Sequence, residues 1–215
     1  MKRVKICGIT GEQEIEWLNE YKPDFAGFVL FFPKSRRNIE LEKAAELIRL
    51  LSPDIETVAV AVKPTAEQVK AIKGAGFDYI QLEAIQNAGF DYIQIHGEVP
   101  DEVLQAADLK IWKAFNVTDL SEFDRYNKRK EICGFVLDAA APGSGQVFEW
   151  DLLKKLPETD KMKLLAGGLD PENVEQALML KGIDGVDTSS GVEKEDGKGK
   201  DRKKIELFIE KVREW

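Results

Sequence analysis

Short apolar runs rich in β-branched residues alternate along this chain with longer stretches whose apolar positions recur every three or four residues. The strand-like runs are Val4–Cys7, Phe25–Phe31, Thr57–Val62, Tyr92–Ile95, Lys110–Ala114, Ile132–Leu137, Lys163–Ala166 and Gly185–Thr188. The amphipathic stretches between them include Ile39–Leu51, Ala66–Ile72, Pro100–Ala106, Leu120–Tyr126, Trp150–Leu156, Pro171–Leu180 and Arg202–Trp215. Start signals sharpen two of these. Asp170 precedes a first-turn proline, Pro171, and Thr65 precedes the acidic first turn of Ala66-Glu67. Eight strands alternating with helices in 215 residues predict an α/β protein, a single (βα)8 TIM barrel spanning residues 1–215. An open doubly wound sheet shares this periodicity. The polar and glycine-rich segments favour the barrel, because nearly all of them follow strands, where the site-bearing face of a barrel lies.

One segment breaks the alternation. Phe77-Asp78-Tyr79-Ile80-Gln81 returns as Phe90-Asp91-Tyr92-Ile93-Gln94, an offset of 13 residues, within a tandem duplication covering about 71–95. The period is too short for a solenoid repeat. A barrel has room for one copy in its sheet. The second copy is the expected fourth strand, because Ile95-His96-Gly97 gives it a strand-end glycine. The first copy is then expected to extend the third helix or to form an excursion on the barrel exterior.

The chain carries a net charge of −8, so no basic excess exists to displace counterions from a nucleic-acid backbone, and nucleic-acid binding is not expected. Cys7 and Cys133 lie far apart with no Cys-x-x-Cys or histidine cluster beside them, which argues against structural zinc and for two free thiols in a reducing cytoplasm. No apolar run reaches membrane-spanning length, and no leader-like segment follows the amino terminus. The pattern does not fix the oligomeric state; a monomer is favoured.

Candidate chemistry sits at the strand ends. Cys7 closes the first strand before Gly8 and reads either as a small core residue or as a thiolate base or nucleophile. Asp138 follows four apolar residues, where a carboxylate is costly unless it reaches the strand end or finds a partner. The two would project from the first and sixth strands as a base and acid pair across the barrel mouth. Cys133, at the opposite end of the sixth strand, is expected to pack in the core. Pro33-Lys34-Ser35-Arg36-Arg37 is either a solvated basic loop or the source of an arginine that grips a carboxylate. His96 follows the fourth strand as a pocket-lining or a structural residue, and Gly143-Ser144-Gly145 reads as a turn after the sixth. Gly167-Gly168 and Ser189-Ser190-Gly191 follow the last two strands, where exposed backbone N–H groups make an anion cradle for a phosphate.

Several strings, in order from end to end, resemble the phosphoribosylanthranilate isomerase family of tryptophan biosynthesis. They are Lys5-Ile6-Cys7-Gly8-Ile9-Thr10, Gly27-Phe28-Val29 with Pro33–Arg37, Gln94-Ile95-His96-Gly97, Leu137-Asp138 with Gly143-Ser144-Gly145 and Phe148-Glu149-Trp150, Ala166-Gly167-Gly168-Leu169 with Pro171–Val174, and Val186–Glu193. The resemblance implies an isomerase barrel needing no cofactor or metal. Its substrate is a phosphorylated small molecule, N-(5-phosphoribosyl)anthranilate, converted to the carboxyphenylamino-deoxyribulose phosphate by an Amadori rearrangement. It further implies Cys7 as general base, Asp138 as general acid and Arg37 as the anthranilate carboxylate's partner. His96, Gly143 and Ser144 fall among the candidate substrate contacts, and the backbones of Gly168, Ser190 and Gly191 match the family's phosphate cradle, beside Gly167 and Ser189 of the same clusters. Asn38, Lys63, Pro142 and Glu149 depart from the family's common residues. Two rival readings accompany this one. A sugar-phosphate isomerase of histidine biosynthesis would carry an aspartate at the end of the first strand, where Cys7 stands. A phosphate-binding barrel silenced by the duplication is the other.

Overall fold

Each strand of this protein presents two apolar faces, as a sheet covered on both sides requires. A computed structural model describes residues 1–73, 89–107, 109–138 and 158–215. The strands are β1 (Arg3–Cys7), β2 (Phe25–Val29), β3 (Glu56–Val62), β4 (Tyr92–His96), β5 (Lys110–Asn116), β6 (Ile132–Asp138), β7 (Met162–Leu165) and β8 (Gly185–Thr188). They pair in parallel in sequence order, and β8 returns to β1 to close the barrel. The described helices are α1 (Glu12–Tyr21), α2 (Leu41–Leu50), α3 (Ala66–Lys73), α4 (Asp101–Ala106), α5 (Phe123–Asn127), α6 (Val174–Leu178) and α7 (Arg202–Glu214). A single 3-10 turn, Ser190–Val192, follows β8.

Period-two alternation divides the core into two clusters. One face of the strands packs with the helices, through residues such as Ile6, Phe28, Ile93, Phe135 and Val186. The other face fills the barrel interior with Cys7, Phe25, Val58, Tyr92, Trp112, Val136 and Leu164 among others. Phe25, Tyr92 and Trp112 interlock there, with ring centroids 4.6–5.7 Å apart. Such aromatic contacts add about 0.5–1.5 kcal/mol each beyond the burial itself.

The strands follow the sequence pattern closely; the helices depart from it in ways that have local causes. A helix at Glu12–Tyr21 was not expected, because its buried side is carried by little more than Ile15 and Leu18. β2 ends at Val29 and does not reach Phe31, whose φ of 57° turns the chain out of the sheet. Ile39 bonds back to the Val29 carbonyl, so α2 begins at Leu41. Thr65 caps α3 as expected, with Thr65 Oγ1 accepting from the Gln68 N–H and Gln68 Oε1 accepting from Thr65 N–H. Asp170 Oδ1 accepts from the Glu172 and Asn173 N–H groups, but this closes a turn, and regular helix starts at Val174 rather than Pro171. α5 likewise starts at Phe123 and not at Leu120. The stretch Trp150–Leu156 lies outside the described residues.

The second copy of the duplicated string provides β4, as expected, with Tyr92 stacked in the interior. The first copy, Phe77–Gln81, lies outside the described residues. The flanking ends are described: α3 closes at Lys73 and β4 opens at Tyr92. Both belong to the helix-to-strand side of the barrel, opposite the strand ends that carry the candidate chemistry. Cys133 is the extra residue of a bulge between β5 and β6, its thiol donating to the Ile111 carbonyl at 3.4 Å.

Barrel closure rests on close backbone approach at Gly185, where a Cβ would collide with the Arg3 carbonyl. Gly185→Ala is expected to cost about 1–3 kcal/mol of stability, as overpacking at a rigid site does. Urea denaturation followed by circular dichroism measures it.

Candidate active site

Alternation along β1 turns Lys5 and Cys7 to the same inward face, and the two side chains set the character of the barrel mouth. Lys5 is fully buried, and its ammonium donates to Gln94 Oε1 on β4 and to Asp187 Oδ2 on β8, each at 2.9 Å. The end of its chain lies beside the Cys7 sulfur, both bordering the space that Gly27 leaves open. Burial works against its charge, but Asp187 and Cys7 outweigh burial and hold Lys5 above the ordinary lysine range. Burial lifts the Asp187 carboxyl, against the pull of Lys5 and Lys200. Asp187 Oδ1 is buried without a hydrogen-bond partner among the described residues.

Cys7 lies at the strand end, 8% exposed, beside Gly27 of β2. Burial pushes its thiol up; Lys5 pulls it down, Asp187 adds to the rise, and Lys200 pulls it down again. Gly8, at φ 79°, turns the chain immediately after the cysteine, and the Gly8 and Ile9 N–H groups both donate to the Gly27 carbonyl. The Cys7 carbonyl accepts from Ser189 Oγ at 2.9 Å, which ties the end of β1 to the loop after β8.

Gln94 Oε1 faces an ammonium, so its amide nitrogen must donate to His96 Nε2 at 3.0 Å. His96 therefore carries its proton on Nδ1. Burial, aided by Lys5 and Lys113, pushes its pKa down to about 4, so the imidazole is neutral at physiological pH. His96 lines a cavity of about 550 Å³ between the ends of β4 and β5, together with Lys113, Asn116, Arg125 and Tyr126.

Arg37 approaches from the loop after β2, its methylenes lying over Gly8. Its Nε donates to Glu193 Oε1 at 2.5 Å, while Arg36 pairs with the other oxygen of Glu193 and Lys200 approaches Oε1 at 3.4 Å. Burial opposes ionisation of Glu193, but Arg37, Lys200 and Arg36 together hold its carboxyl below the usual range. Gly8, Arg36, Arg37 and Glu193 line a second cavity of about 280 Å³.

The loops after β7 and β8 meet backbone to backbone. Gly167 and Gly168 hold φ of 93° and 66°, and a Cβ on Gly191 would collide with the Leu169 carbonyl. Thr188 Oγ1 donates to that carbonyl and Asn173 Nδ2 to the Gly168 carbonyl, fixing both turns. The N–H groups of Gly167, Gly168, Ser190 and Gly191 meet no acceptor among the described residues. Ser189, between the two loops' free N–H groups and β1, is the residue that meets the Cys7 carbonyl.

Asp138 stands half-buried at the end of β6, paired in register with Asn116. Alternation from Val136 of the interior cluster gives it the inward face. Gly143 and Ser144 lie outside the described residues. The charges behind the site, Lys5, Asp187, Glu193 and Lys200, had no role readable from the sequence pattern. For Lys5 the signal was present: a lysine two residues before Cys7 in a strand shares its face. Among the described residues no group of three or more histidine, cysteine, aspartate or glutamate side chains is placed to hold a metal. No described helix is long and apolar enough to cross a membrane.

Comparison with known proteins agrees with this arrangement. The family model for N-(5'-phosphoribosyl)anthranilate isomerase matches residues 4–211. The N-(5'-phosphoribosyl)anthranilate isomerase of Thermoanaerobacter sp. (strain X514) is 38% identical over 219 residues, covering 99% of this chain and 98% of its own. That of Clostridium kluyveri (strain ATCC 8527) is 39% identical over 215 residues, with the same coverage. The crystal structure of phosphoribosyl anthranilate isomerase from Thermotoga maritima superimposes with a TM-score of 0.82 at 33% identity, over the whole of both chains. A phosphoribosyl anthranilate isomerase solved with reduced 1-(o-carboxyphenylamino)-1-deoxyribulose 5-phosphate gives 0.80 at 31% identity, again over both whole chains.

The histidine is the only one in the chain, so its titration is directly visible. NMR of the His96 ring is expected to show a neutral Nδ1–H tautomer at neutral pH, titrating near 4. In the unfolded chain the same ring titrates at about 6.5, so the unfolded state binds more protons between these values. His96 therefore withdraws stability as pH falls through that window, and its replacement by Gln should flatten the loss seen in denaturation midpoints.

Proposed function

This chain belongs to the N-(5'-phosphoribosyl)anthranilate isomerase family, and from that premise we propose that it converts N-(5'-phosphoribosyl)anthranilate into 1-(2-carboxyphenylamino)-1-deoxyribulose 5-phosphate, with Asp138 as general acid and Cys7 as general base. The observation that carries the assignment is the setting of Cys7: an inward thiol between a clamped arginine and a cradle of unpaired backbone N–H groups. A substrate with a carboxylate at one end and a phosphate at the other fits that span. The phosphate sits on the N–H groups of Gly167, Gly168, Ser190 and Gly191, near Ser189. The anthranilate carboxylate meets the outer edge of the Arg37 fork, since Glu193 already occupies Nε. His96 borders the bound substrate, and Gly143 and Ser144 belong to the same proposed contact set.

The reaction then runs in three proton steps. Asp138 delivers a proton to the furanose ring oxygen, the C1–O bond breaks, and the nitrogen lone pair forms a protonated Schiff base at C1. That cation is an electron sink, so the C2–H bond is acidified. The Cys7 thiolate takes the C2 proton and the bonding pair moves to make the C1–C2 double bond of an enolamine. The enolamine ketonises by gaining a proton at C1 and losing one from the C2 hydroxyl. Each positioned acid or base contributes about 10²–10⁴-fold. Neutral His96 does not serve as the acid at physiological pH.

The silenced-barrel reading finds no support in the placement of the duplication, whose flanks lie at the opposite end of the barrel from Cys7. Complementation of a tryptophan auxotroph tests the activity directly; growth failure with a folded, soluble chain would overturn the assignment. Cys7→Ser and Asp138→Asn should each lower kcat by at least about 100-fold with little change in KM. Arg37→Ala should act mainly on KM. Steady-state fluorescence kinetics separate these outcomes, and near-parental turnover in either of the first two variants refutes the acid and base roles.

A further inference from the structure

The thiol of Cys7 faces a difficulty that its position creates. Burial favours the neutral form, yet the reaction needs the thiolate. We propose that Lys5 is a positioning residue that supplies the fixed counter-charge of the Cys7 thiolate, and that Asp187 on its other side limits how far the thiolate is favoured. The inference rests on reading Cys7 as the base.

The geometry is specific. Lys5 and Cys7 are two residues apart on one strand, so both project inward. A Cβ built on Gly27 would lie 2.9 Å from Cys7 Sγ and 3.2 Å from Lys5 Cε, so the sulfur and the end of the lysine chain share one small space that the missing side chain leaves open. The ammonium is bonded to two partners of different kinds, the neutral Gln94 oxygen and the Asp187 carboxylate, and the thiol lies beside it. Gln94 is itself oriented by His96, so the ammonium is held without help from solvent. A side chain kept only for packing would not be a fully buried lysine held to Gln94 and Asp187. The other charges facing the thiol are few. Lys200 approaches from the segment before α7, held by the Ser189 carbonyl at 3.0 Å and Ser189 Oγ at 3.2 Å, and Asp187 faces it from β8; Gly27 on β2 brings none.

Lys5 and Asp187 thus act on the sulfur with opposite signs. The test uses the full chain with Cys133→Ser, so that one thiol remains. Thiolate is followed by its ultraviolet absorbance as a function of pH, with Cys7→Ser as the blank, and reagent access does not enter. Lys5→Met is expected to raise the titration midpoint by roughly 1–3 pH units, the usual effect of losing a close opposite charge. At least about tenfold less thiolate would then be present below the parental midpoint. Asp187→Asn is expected to lower the midpoint. The double variant Lys5→Met/Asp187→Asn strands neither charge of the pair, so it carries the test should Lys5→Met alone not fold. Its midpoint should lie above that of Asp187→Asn.

Movement of the two single variants in the same direction, or a double variant titrating with Asp187→Asn, would overturn the proposal. The pH profile of kcat/KM is read alongside. A midpoint that shifts in absorbance while the rate profile stays in place would sustain the role of Lys5 in ionising the thiol and reject Cys7 as the base.

Discussion

A lysine with no route to water organises the upper half of this barrel. Lys5 reaches from β1 to Gln94 on β4 and to Asp187 on the neighbouring β8, so one side chain spans the lumen and crosses the seam where the sheet closes. Removing one partner of such a buried pair costs about 3–5 kcal/mol, because the other charge is stranded. The arrangement therefore specifies more than it stabilises. It requires β8 to return beside β1 in one register, Lys5 opposite Asp187, and that register puts Thr188 and Ser189 next to Cys7. Below this level the interior is sealed by Phe25, Tyr92 and Trp112, so the charge is insulated from beneath and its effect is directed toward the mouth.

The meeting of the loops after β7 and β8 follows from the same closure. Gly191 touches the Leu169 backbone, which only a residue without a Cβ allows, and the two loops present their N–H groups together. Both loops are braced by side chains whose own hydrogen bonds are spent on carbonyls: Thr188 on Leu169 and Asn173 on Gly168. With these two carbonyls occupied, the loops offer donors and few acceptors, the setting that the proposed phosphate contact needs.

The strands were legible in the sequence because both of their faces are buried, which leaves unbroken apolar runs that end at glycine or a polar residue. Cys7, His96 and the two glycine clusters could be placed at strand ends by the same rule. α1 was not legible, since a helix that buries little beyond Ile15 and Leu18 has no full apolar stripe. The fourth strand could be assigned to Tyr92–His96 from the glycine that follows it, and the packed interior adds a reason, the fit of Tyr92 against Trp112. The ties among Lys5, Gln94 and Asp187 were beyond reach. They join residues 89 and 182 positions apart, and no local pattern records which inward side chains meet across a lumen. The departures from the family pattern have local readings too. Asn38 Oδ1 accepts from the Phe32 N–H and so holds the turn at Phe31, and Lys63 occupies φ 46°, a conformation that asparagine tolerates more easily than lysine does.

Glu193 ties the substrate end of the site to the rest. It draws Arg36, Arg37 and Lys200 onto one nearly buried carboxylate, and Lys200 in turn braces Ser189, whose hydroxyl holds the Cys7 carbonyl. Arg37 is thus held in place with its Nε engaged by Glu193. Preorganisation of this kind lowers the entropic cost of binding and fixes where the ring must lie. It also sets a limit: a guanidinium already neutralised by Glu193 attracts a second carboxylate less strongly than a free one would. For the proposed substrate, such a site would trade affinity at the aromatic end for a fixed distance between that end and the loops after β7 and β8. That distance would decide whether C2 of the sugar comes to rest over the sulfur.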